Sequence, residues 1–233
     1  MKYLWSGLAA GLLSASHAGA VEFIETDQTL NDDHFYRAVA CGAAPGADCT
    51  RQFARWPAEK ARELTVSLRG IDPEFPVYKL SWVRAALDEA IDEINKAGAA
   101  INLVRRADAL PADIPIFLTG AGRGEVVQDT GYHGLDGSTI EAGLVTVWWW
   151  DGDISTAAVA LSADVRRRSI RSILLEELVQ ALGLATDIRG PAYRGKSIFD
   201  EDSNAVTRLE GQDREALRLH YPTDSQMSQS ASN

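Results

Sequence analysis

Two hydrophobic periodicities follow one another between residues 63 and 94, and together they limit the folds open to this chain. In ELTVSLR, residues 63–69, apolar side chains alternate with polar ones, which is the pattern of a strand with one buried face. Residues 80–94 then place Leu, Val and Ile at spacings of three and four, which predicts a helix with one apolar face. A chain that forms both elements in succession must pack helices against a sheet.

Similar patterns predict the remaining elements. Strands are predicted at 100–106, 113–120, 143–150 and 155–162, and helices at 33–40, 166–183 and 211–221. Asn31 is a predicted cap for the helix at 33–40, and Pro115 indicates an edge position or a bulge. The order of elements predicts an α+β fold. It has a mixed, mostly continuous sheet, a backing helix, and a smaller C-terminal part with a final helix.

The first 20 residues have the pattern of a signal peptide. Lys2 is followed by an apolar stretch, and Ala18-Gly19-Ala20 has the small-x-small form of a cleavage site. A membrane anchor is the alternative, but Ser, Gly and His interrupt the short apolar part. We therefore expect an exported protein, periplasmic or extracellular, that begins at Val21. No later segment has the composition of a membrane span.

Four segments follow from these patterns. Residues 1–20 are the predicted signal peptide, and 21–60 form an N-terminal extension. Residues 61–222 form the main domain, and the polar residues 223–233 form a disordered tail. The only cysteines, Cys41 and Cys49, lie in the extension. Their even number and close spacing in an exported chain predict a disulfide bond.

The charge of the chain is strongly acidic. It carries 33 acidic and 23 basic side chains, a net charge of −10, and cleavage of the leader would remove one base, Lys2, and no acid. Such a balance argues against nucleic acid or anionic lipid as the main partner, because both repel a negative surface.

The segment EELVQALG, residues 176–183, carries the strongest functional signal. Glu176 and Gln180 are four residues apart and share one helix face, with Glu177 beside them. This is the geometry of a metallopeptidase helix, in which two ligands lie on one turn and a carboxylate next to the first acts as general base. An ordinary amphipathic helix with solvated glutamates is the alternative.

Over residues 61–221 the chain resembles the zincin metallopeptidases, in which a twisted sheet and a backing helix precede the active-site helix. Metzincins continue as HExxHxxGxxH, then a tight turn with a methionine, then a final helix. Gly183 matches their glycine, and Thr186 falls at the third-ligand position with Asp187 next to it. Ser197-Ile198-Phe199 resembles the methionine turn, with Phe199 in place of Met. The motif is thus a degenerate one, with EExxQ in place of HExxH.

The chain also resembles an uncharacterised family of exported bacterial proteins with a domain of unknown function. The matching features are RWP at 55–57, EELVQALGL at 176–184, and the SxFxD turn formed by Ser197, Phe199 and Asp200. This resemblance implies a fold and export rather than a reaction.

Zinc is disfavoured because its usual ligands are cysteine and histidine. None of His34, His133 and His220 falls at a motif position. An oxygen set suits a hard cation such as Ca²⁺, Mg²⁺ or Mn²⁺ better. One hypothesis is therefore a hydrolase that holds such a cation on Glu176, Gln180 and Asp187, with Glu177 as general base.

The favoured hypothesis is a domain without a cofactor that binds a peptide or protein without cutting it. Its predicted cleft residues are Glu176, Gln180, Thr186, Trp148 and Trp150, and Arg171 or Arg194 is a candidate to neutralise one carboxylate. Trp148 and Trp150 should share one sheet face and Trp149 the other. Packing is favoured for Trp149, whereas packing and ligand contact both stay open for Trp148 and Trp150. A glycosidase is a third class, and it needs a distant second carboxylate such as Asp200.

Overall fold

The computed structural model describes residues 23–230, so the predicted signal peptide lies outside the described residues. Its helices are α1 (Asp32–Cys41), α2 (Ala58–Ala61), α3 (Leu80–Asn95), α4 (Ile170–Ala181), α5 (Gly211–His220) and α6 (Asp224–Ser230). Its strands are β1 (Phe23–Glu25), β2 (Leu64–Ile71), β3 (Leu103–Arg105), β4 (Ile114–Leu118), β5 (Glu125–Val126), β6 (Thr139–Ile140), β7 (Gly143–Trp150), β8 (Asp153–Leu161) and β9 (Asp187–Arg189).

Five of these strands form one sheet in the order β3-β2-β4-β8-β7. The first four are parallel to their neighbours, whereas β7 runs antiparallel to β8 and lies at the edge. The prediction of an α+β fold with a mixed, mostly continuous sheet is therefore confirmed.

The periodicity that predicted β2 and α3 corresponds to one buried face on each element. Leu64, Val66 and Leu68 of β2 are almost fully buried. Val83 and Leu87 of α3 are also buried, in the same hydrophobic cluster. Helices α3 and α4 pack against each other, and α4 also contacts β7 and β8. The sheet and these two helices therefore share the main core.

Pro115 lies in a central strand, yet locally it has the edge character that the sequence indicated. It pairs with Ser67 of β2, whereas the pairing of β4 with β8 begins only at Ile116. A residue without an N–H group is tolerated there because no strand lies on its other side.

The segment predicted as an N-terminal extension packs into this core. Strand β1 pairs in parallel with β9, and α1 packs against α5. Asn31 caps α1 by accepting a hydrogen bond from the His34 backbone N–H at 2.8 Å, as predicted. Phe35 and Val39 of α1 belong to the same hydrophobic cluster as the sheet.

The disulfide bond between Cys41 and Cys49 is confirmed. It joins the end of α1 to the loop that returns towards the core. Gly42 ends the helix with a φ of 67°, a left-handed conformation that glycine adopts at low cost.

Two polar segments contain structure that hydrophobic periodicity did not predict. Residues 119–142, predicted as one long loop, include the hairpin β5–β6, and Val127, Leu135 and Ile140 form a second small core there. The predicted tail contains α6. Its capping residues are Thr223 and Gln226, whose Oε1 accepts hydrogen bonds from both the backbone N–H and the hydroxyl of Thr223. No helix among residues 23–230 is long and apolar enough to span a membrane.

Candidate functional site

Helix α4 carries EELVQALG and is buried on most of its surface. It lies between α3 and the strands β7 and β8, and ten of its twelve residues are buried. Glu177 is only 7% exposed and Gln180 9%, so this is not the amphipathic surface helix of the alternative interpretation. Polar side chains at such positions call for a specific explanation, because burial without partners is costly.

Glu177 points at the edge strand. A Cβ atom added to Gly143 of β7 would lie 2.1 Å from Glu177 Oε1, so the carboxyl group occupies space that only glycine leaves free. Glu177 Oε2 is buried and has no hydrogen-bond partner among the described residues. Burial, and secondarily repulsion from Asp187, raises the pKa of Glu177 to about 8. The group is therefore mostly protonated at neutral pH.

Glu176 lies on the adjacent side of the helix and is half-buried. Its Oε2 accepts a hydrogen bond from the Asn204 amide at 2.8 Å. Burial, followed by repulsion from Asp187 and Glu177, raises the pKa of Glu176 well above its ordinary value. The Asn204 loop is itself fixed to the helix, because Ser172 Oγ donates to the Asn204 carbonyl at 2.7 Å.

Gln180 completes the cluster through β9. Its Nε2 donates a hydrogen bond to Asp187 Oδ1 at 3.0 Å. After α4 the chain turns back and brings Asp187 beside Gln180, which is possible because Gly183 has a φ of 102°. A Cβ atom at Gly183 would lie 1.9 Å from the Ala54 carbonyl oxygen, so glycine is needed for both reasons. The structure thus brings together Glu176, Glu177, Gln180 and Asp187.

The other predicted cleft residues lie elsewhere. Thr186 is fully buried, its backbone N–H donates to the Val39 carbonyl at 3.1 Å, and its hydroxyl lies beside Gly42 at the disulfide loop. At a rise of about 3.3 Å per residue, Trp148 and Trp150 are about 17 and 23 Å along β7 from the residue that contacts Glu177.

Trp148 packs on Tyr132 in the second core, whereas Trp150 is 79% exposed beside the β7–β8 turn. Trp149, for which packing was the favoured prediction, is 38% exposed. A register shift between Trp148 and Trp149 interrupts the strict alternation of the strand at this point.

Neither candidate arginine neutralises the carboxylates. Arg171 Nε lies 2.5 Å from Glu89 Oε2 of α3, and Arg194 Nη2 lies 3.0 Å from Asp202 Oδ2. The suggestion that one of them pairs with the motif is therefore wrong. Without a cation beside them, the carboxyl groups reduce their mutual repulsion by holding protons.

The Ser197-Ile198-Phe199 turn is held by a residue that the sequence analysis did not single out. Asp213 of α5 accepts hydrogen bonds from Ser197 Oγ at 2.6 Å and from the Ile198 backbone N–H at 2.8 Å. Burial raises the pKa of Asp213 to about 6, against the effect of these hydrogen bonds. Asp213 lies in the first turn of the helix predicted at 211–221, and its place on that helix was the only signal for it in the sequence.

Asp200, the candidate partner of a glycosidase, has a structural role. It is 1% exposed and accepts hydrogen bonds from the backbone N–H groups of Gly195 at 2.5 Å and Asp202 at 3.2 Å. These contacts agree with the interpretation of this segment as a structural turn.

The donor set does not fit zinc. Within residues 23–230, no group of three or more His, Cys, Asp or Glu side chains is arranged to hold a metal ion. His220 is fully buried in contact with the Ala54 carbonyl at 2.9 Å and the Tyr36 hydroxyl at 3.3 Å. What the site offers chemically is a buried carboxylic acid, able to donate a hydrogen bond through a proton it keeps at neutral pH.

Comparison with known proteins adds three findings. The structure titled "Structure of Myroilysin" is similar over 87% of this chain and 92% of that chain, with 14% sequence identity and a TM-score of 0.38. A search of curated proteins found no match. Residues 118–227, which include β7, α4 and Asp187, match the family model described as "Protein of unknown function (DUF2927)", so the prediction of a domain of unknown function is confirmed over that segment.

Proposed function

We propose that this chain is an exported peptide-binding module with a degenerate metallopeptidase-like site, and that it binds without hydrolysing. The observation that carries the proposal is the state of Glu177, which is buried against Gly143 and keeps its proton at neutral pH. A protonated carboxyl group cannot take a proton from water, so without a cation in the cluster Glu177 does not act as a general base.

The energetics support the same conclusion. A metal ion lowers the pKa of bound water from about 15.7 to about 7, a difference worth about 12 kcal/mol. Glu176, Gln180 and Asp187 would have to hold that ion here. Gln180 Nε2 donates a hydrogen bond to Asp187 Oδ1, which occupies one carboxylate oxygen of that ligand set. Nothing else in this cluster supplies a comparable activation of water.

Strand β7 supports peptide binding because one edge of it has no partner strand among the described residues. Ser162 N donates to the Ala142 carbonyl at 2.9 Å, and the pairing continues in register along β7 and β8. Antiparallel pairing alternates, so the backbone N–H and C=O groups of Gly143, Val145 and Val147 face the free edge. An extended peptide adds to such an edge as a further strand.

The test begins with a random-peptide library panned against the purified chain, and continues with a synthetic peptide from the selected sequences. Val145→Pro removes an edge-facing N–H without breaking a hydrogen bond to β8, and should abolish binding. Val145→Ala keeps the N–H group and should bind normally. If Val145→Pro binds as tightly as the wild type, the edge of β7 is not the binding surface.

The hydrolase with a hard cation remains the second candidate, because repulsion among Glu176, Glu177 and Asp187 is what a bound cation would relieve. Inductively coupled plasma mass spectrometry of protein purified without chelator distinguishes the two candidates, with Glu176→Ala as control. A near-stoichiometric Ca²⁺, Mg²⁺ or Mn²⁺ that is lost in the variant would favour the hydrolase. Glu177→Gln should leave peptide affinity unchanged in a binding module and abolish turnover in a hydrolase.

A further inference from the structure

A groove of about 860 Å³ lies next to the motif helix. It is bounded by the residues before β7, the segment before α4, and the loop that contains Asn204. Two contacts join it to the site. Asn204 lines the groove and donates to Glu176, and Ala142 lines it next to Gly143, against which Glu177 packs. A ligand in this groove therefore lies beside both the carboxylate cluster and the start of the free edge.

The acidic side chains around the groove already have partners. Glu141 Oε2 lies 3.4 Å from Arg123 Nη1, and Asp164 accepts a hydrogen bond from the Arg123 backbone N–H at 3.1 Å. Asp202 forms ion pairs with two arginines, through Oδ1 with Arg189 Nε at 3.3 Å and through Oδ2 with Arg194 Nη2 at 3.0 Å. Glu141 and Asp202 are therefore paired with arginines, and Asp164 is held by a backbone hydrogen bond.

Two arginines of the groove are different. Arg166 and Arg168 line it, and their side chains have no hydrogen-bond or ion-pair partner within residues 23–230. The neighbouring arginines contact α3 instead. The Arg167 guanidinium carbon lies 4.7 Å from the centre of the Trp82 ring, and Arg171 forms an ion pair with Glu89. In a chain of net charge −10, two unpaired guanidinium groups in one groove form a local site for an anion.

The walls of the groove indicate which anion. Ala142, Val165 and Ile173 provide apolar surface beneath the arginines. A carboxylate on a short aliphatic stem matches this combination, because guanidinium groups bind carboxylates through paired hydrogen bonds while the stem covers apolar surface. A glutamate side chain has this form, and a peptide on the edge of β7 would pass the opening.

We propose that this groove recognises an acidic side chain, preferably glutamate, of the peptide bound along β7. The inference rests on the proposed function and specifies its substrate class as acidic peptides. Binding of the carboxylate by Arg166 and Arg168 gives selectivity, while the backbone of β7 provides the sequence-independent part of the affinity.

The first experiment does not depend on peptide binding. The ¹⁵N-labelled protein is titrated with N-acetylglutamate amide, and the arginine Nε–Hε signals are followed by NMR. The signals of Arg166 and Arg168 should shift, and those of Arg167 and Arg171 should not. N-acetylglutamine amide should shift none of them. No shift with N-acetylglutamate amide would overturn the inference.

Two further probes distinguish other anions. N-acetylglutamine with a free α-carboxylate tests recognition of a peptide C-terminus, and inorganic phosphate tests a general anion site. If either moves the two signals as strongly as N-acetylglutamate amide does, the groove does not select an acidic side chain and the inference is wrong. Val145→Pro should keep the response to N-acetylglutamate amide, so failure of the edge proposal and failure of the groove proposal give different results.

The second experiment uses a selected peptide and its Glu→Gln counterpart. The wild type should bind the glutamate peptide about tenfold more tightly than the glutamine peptide. The free energy of a hydrogen bond to a charged group corresponds to about that ratio of dissociation constants. Arg166→Gln/Arg168→Gln should remove this preference. Arg167→Gln/Arg171→Gln changes the net charge by the same amount as that variant and should keep the preference for the glutamate peptide. Equal loss in both double variants would mean that only overall charge matters.

Discussion

Glu177 couples the protonation of the site to the stability of the fold. Its pKa is about 8 in the folded protein, against 4.5 for an exposed glutamate. Between these values the folded state holds a proton that the unfolded state has released, so the free energy of unfolding decreases as pH rises through this window. Below about pH 4.5 the effect is absent, and above about pH 8 it is complete.

Glu177→Gln should therefore stabilise the protein at alkaline pH. Glutamine cannot ionise, so the variant does not lose stability as the pH rises. For the wild type, the decrease in the free energy of unfolding between the pKa values of 4.5 and about 8 is at most about 5 kcal/mol, at 1.36 kcal/mol per unit. Urea unfolding of both proteins at about pH 5 and about pH 9 measures this. Asp213, with a pKa of about 6, titrates in both and its effect cancels. If the difference in free energy of unfolding between the wild type and Glu177→Gln is the same at both pH values, Glu177 is not a buried, protonated group.

Several features at the residue scale could be predicted from sequence and others could not. The i, i+4 spacing placed Glu176 and Gln180 on one face of a helix, and the structure agrees. Nothing in the sequence indicated that Gly143 would face Glu177 or that Asn204 would bind Glu176. These contacts join residues 28 or more positions apart, and only the packing of α4 against the sheet and the following loop creates them.

The loop closed by the disulfide bond illustrates the element scale. The bond fixes the end of α1, and the Val39 carbonyl in the last turn of α1 accepts a hydrogen bond from Thr186 N at 3.1 Å, next to Asp187 of the site. Cys41→Ser/Cys49→Ser should lower the free energy of unfolding by about 2–3 kcal/mol, because the unfolded chain regains the entropy of the open loop.

Urea unfolding with and without reductant checks this expectation. Reductant should destabilise the wild type by a similar amount and should leave the double serine variant unchanged, which controls for other effects of the reagent. Equal stability of the oxidised and reduced wild type would show that the loop contributes little.

Elements with a periodic apolar pattern were predictable, and the shortest elements were not. Strands β2 and β7 and helices α3 and α4 follow their predicted segments closely. Strands β1 and β9 have three residues each and pair with each other across more than 160 positions. A segment of that length shows no period, so its structure depends on the partner that folding brings to it.

At the scale of the whole molecule, the export prediction has a direct test. Signal-peptide cleavage after Ala20 should give a protein whose first residue is Val21 and whose two cysteines are oxidised. Intact-mass measurement and N-terminal sequencing of the protein from the exported fraction check both features. Ala20→Lys should block cleavage and serves as the control. A chain that is recovered only in the cytoplasm and begins at Met1 would contradict export.

The N-terminal and C-terminal parts of the described chain meet in one core, which the division into segments did not anticipate. Helix α1 packs against α5, and the phenol of Tyr221 accepts a hydrogen bond from the Trp56 backbone N–H at 3.0 Å. Tyr221 also donates to the Leu182 carbonyl at 2.7 Å, just after the motif helix. The segment before residue 61 therefore supports the end of α4 through Tyr221.

Sequence by itself determined the longer elements with a periodic apolar pattern, the α+β class, the disulfide pairing and the helix face that carries Glu176 and Gln180. Each of these depends on interactions or spacings within a short stretch of chain, which periodicity and composition report. The tertiary structure alone decided that Glu177 is buried against Gly143, that Arg171 and Arg194 pair elsewhere, and that Trp150 lies far from the carboxylates. Burial and proton affinity depend on which distant segments exclude water from a side chain, and that is fixed only when the sheet and helices pack together.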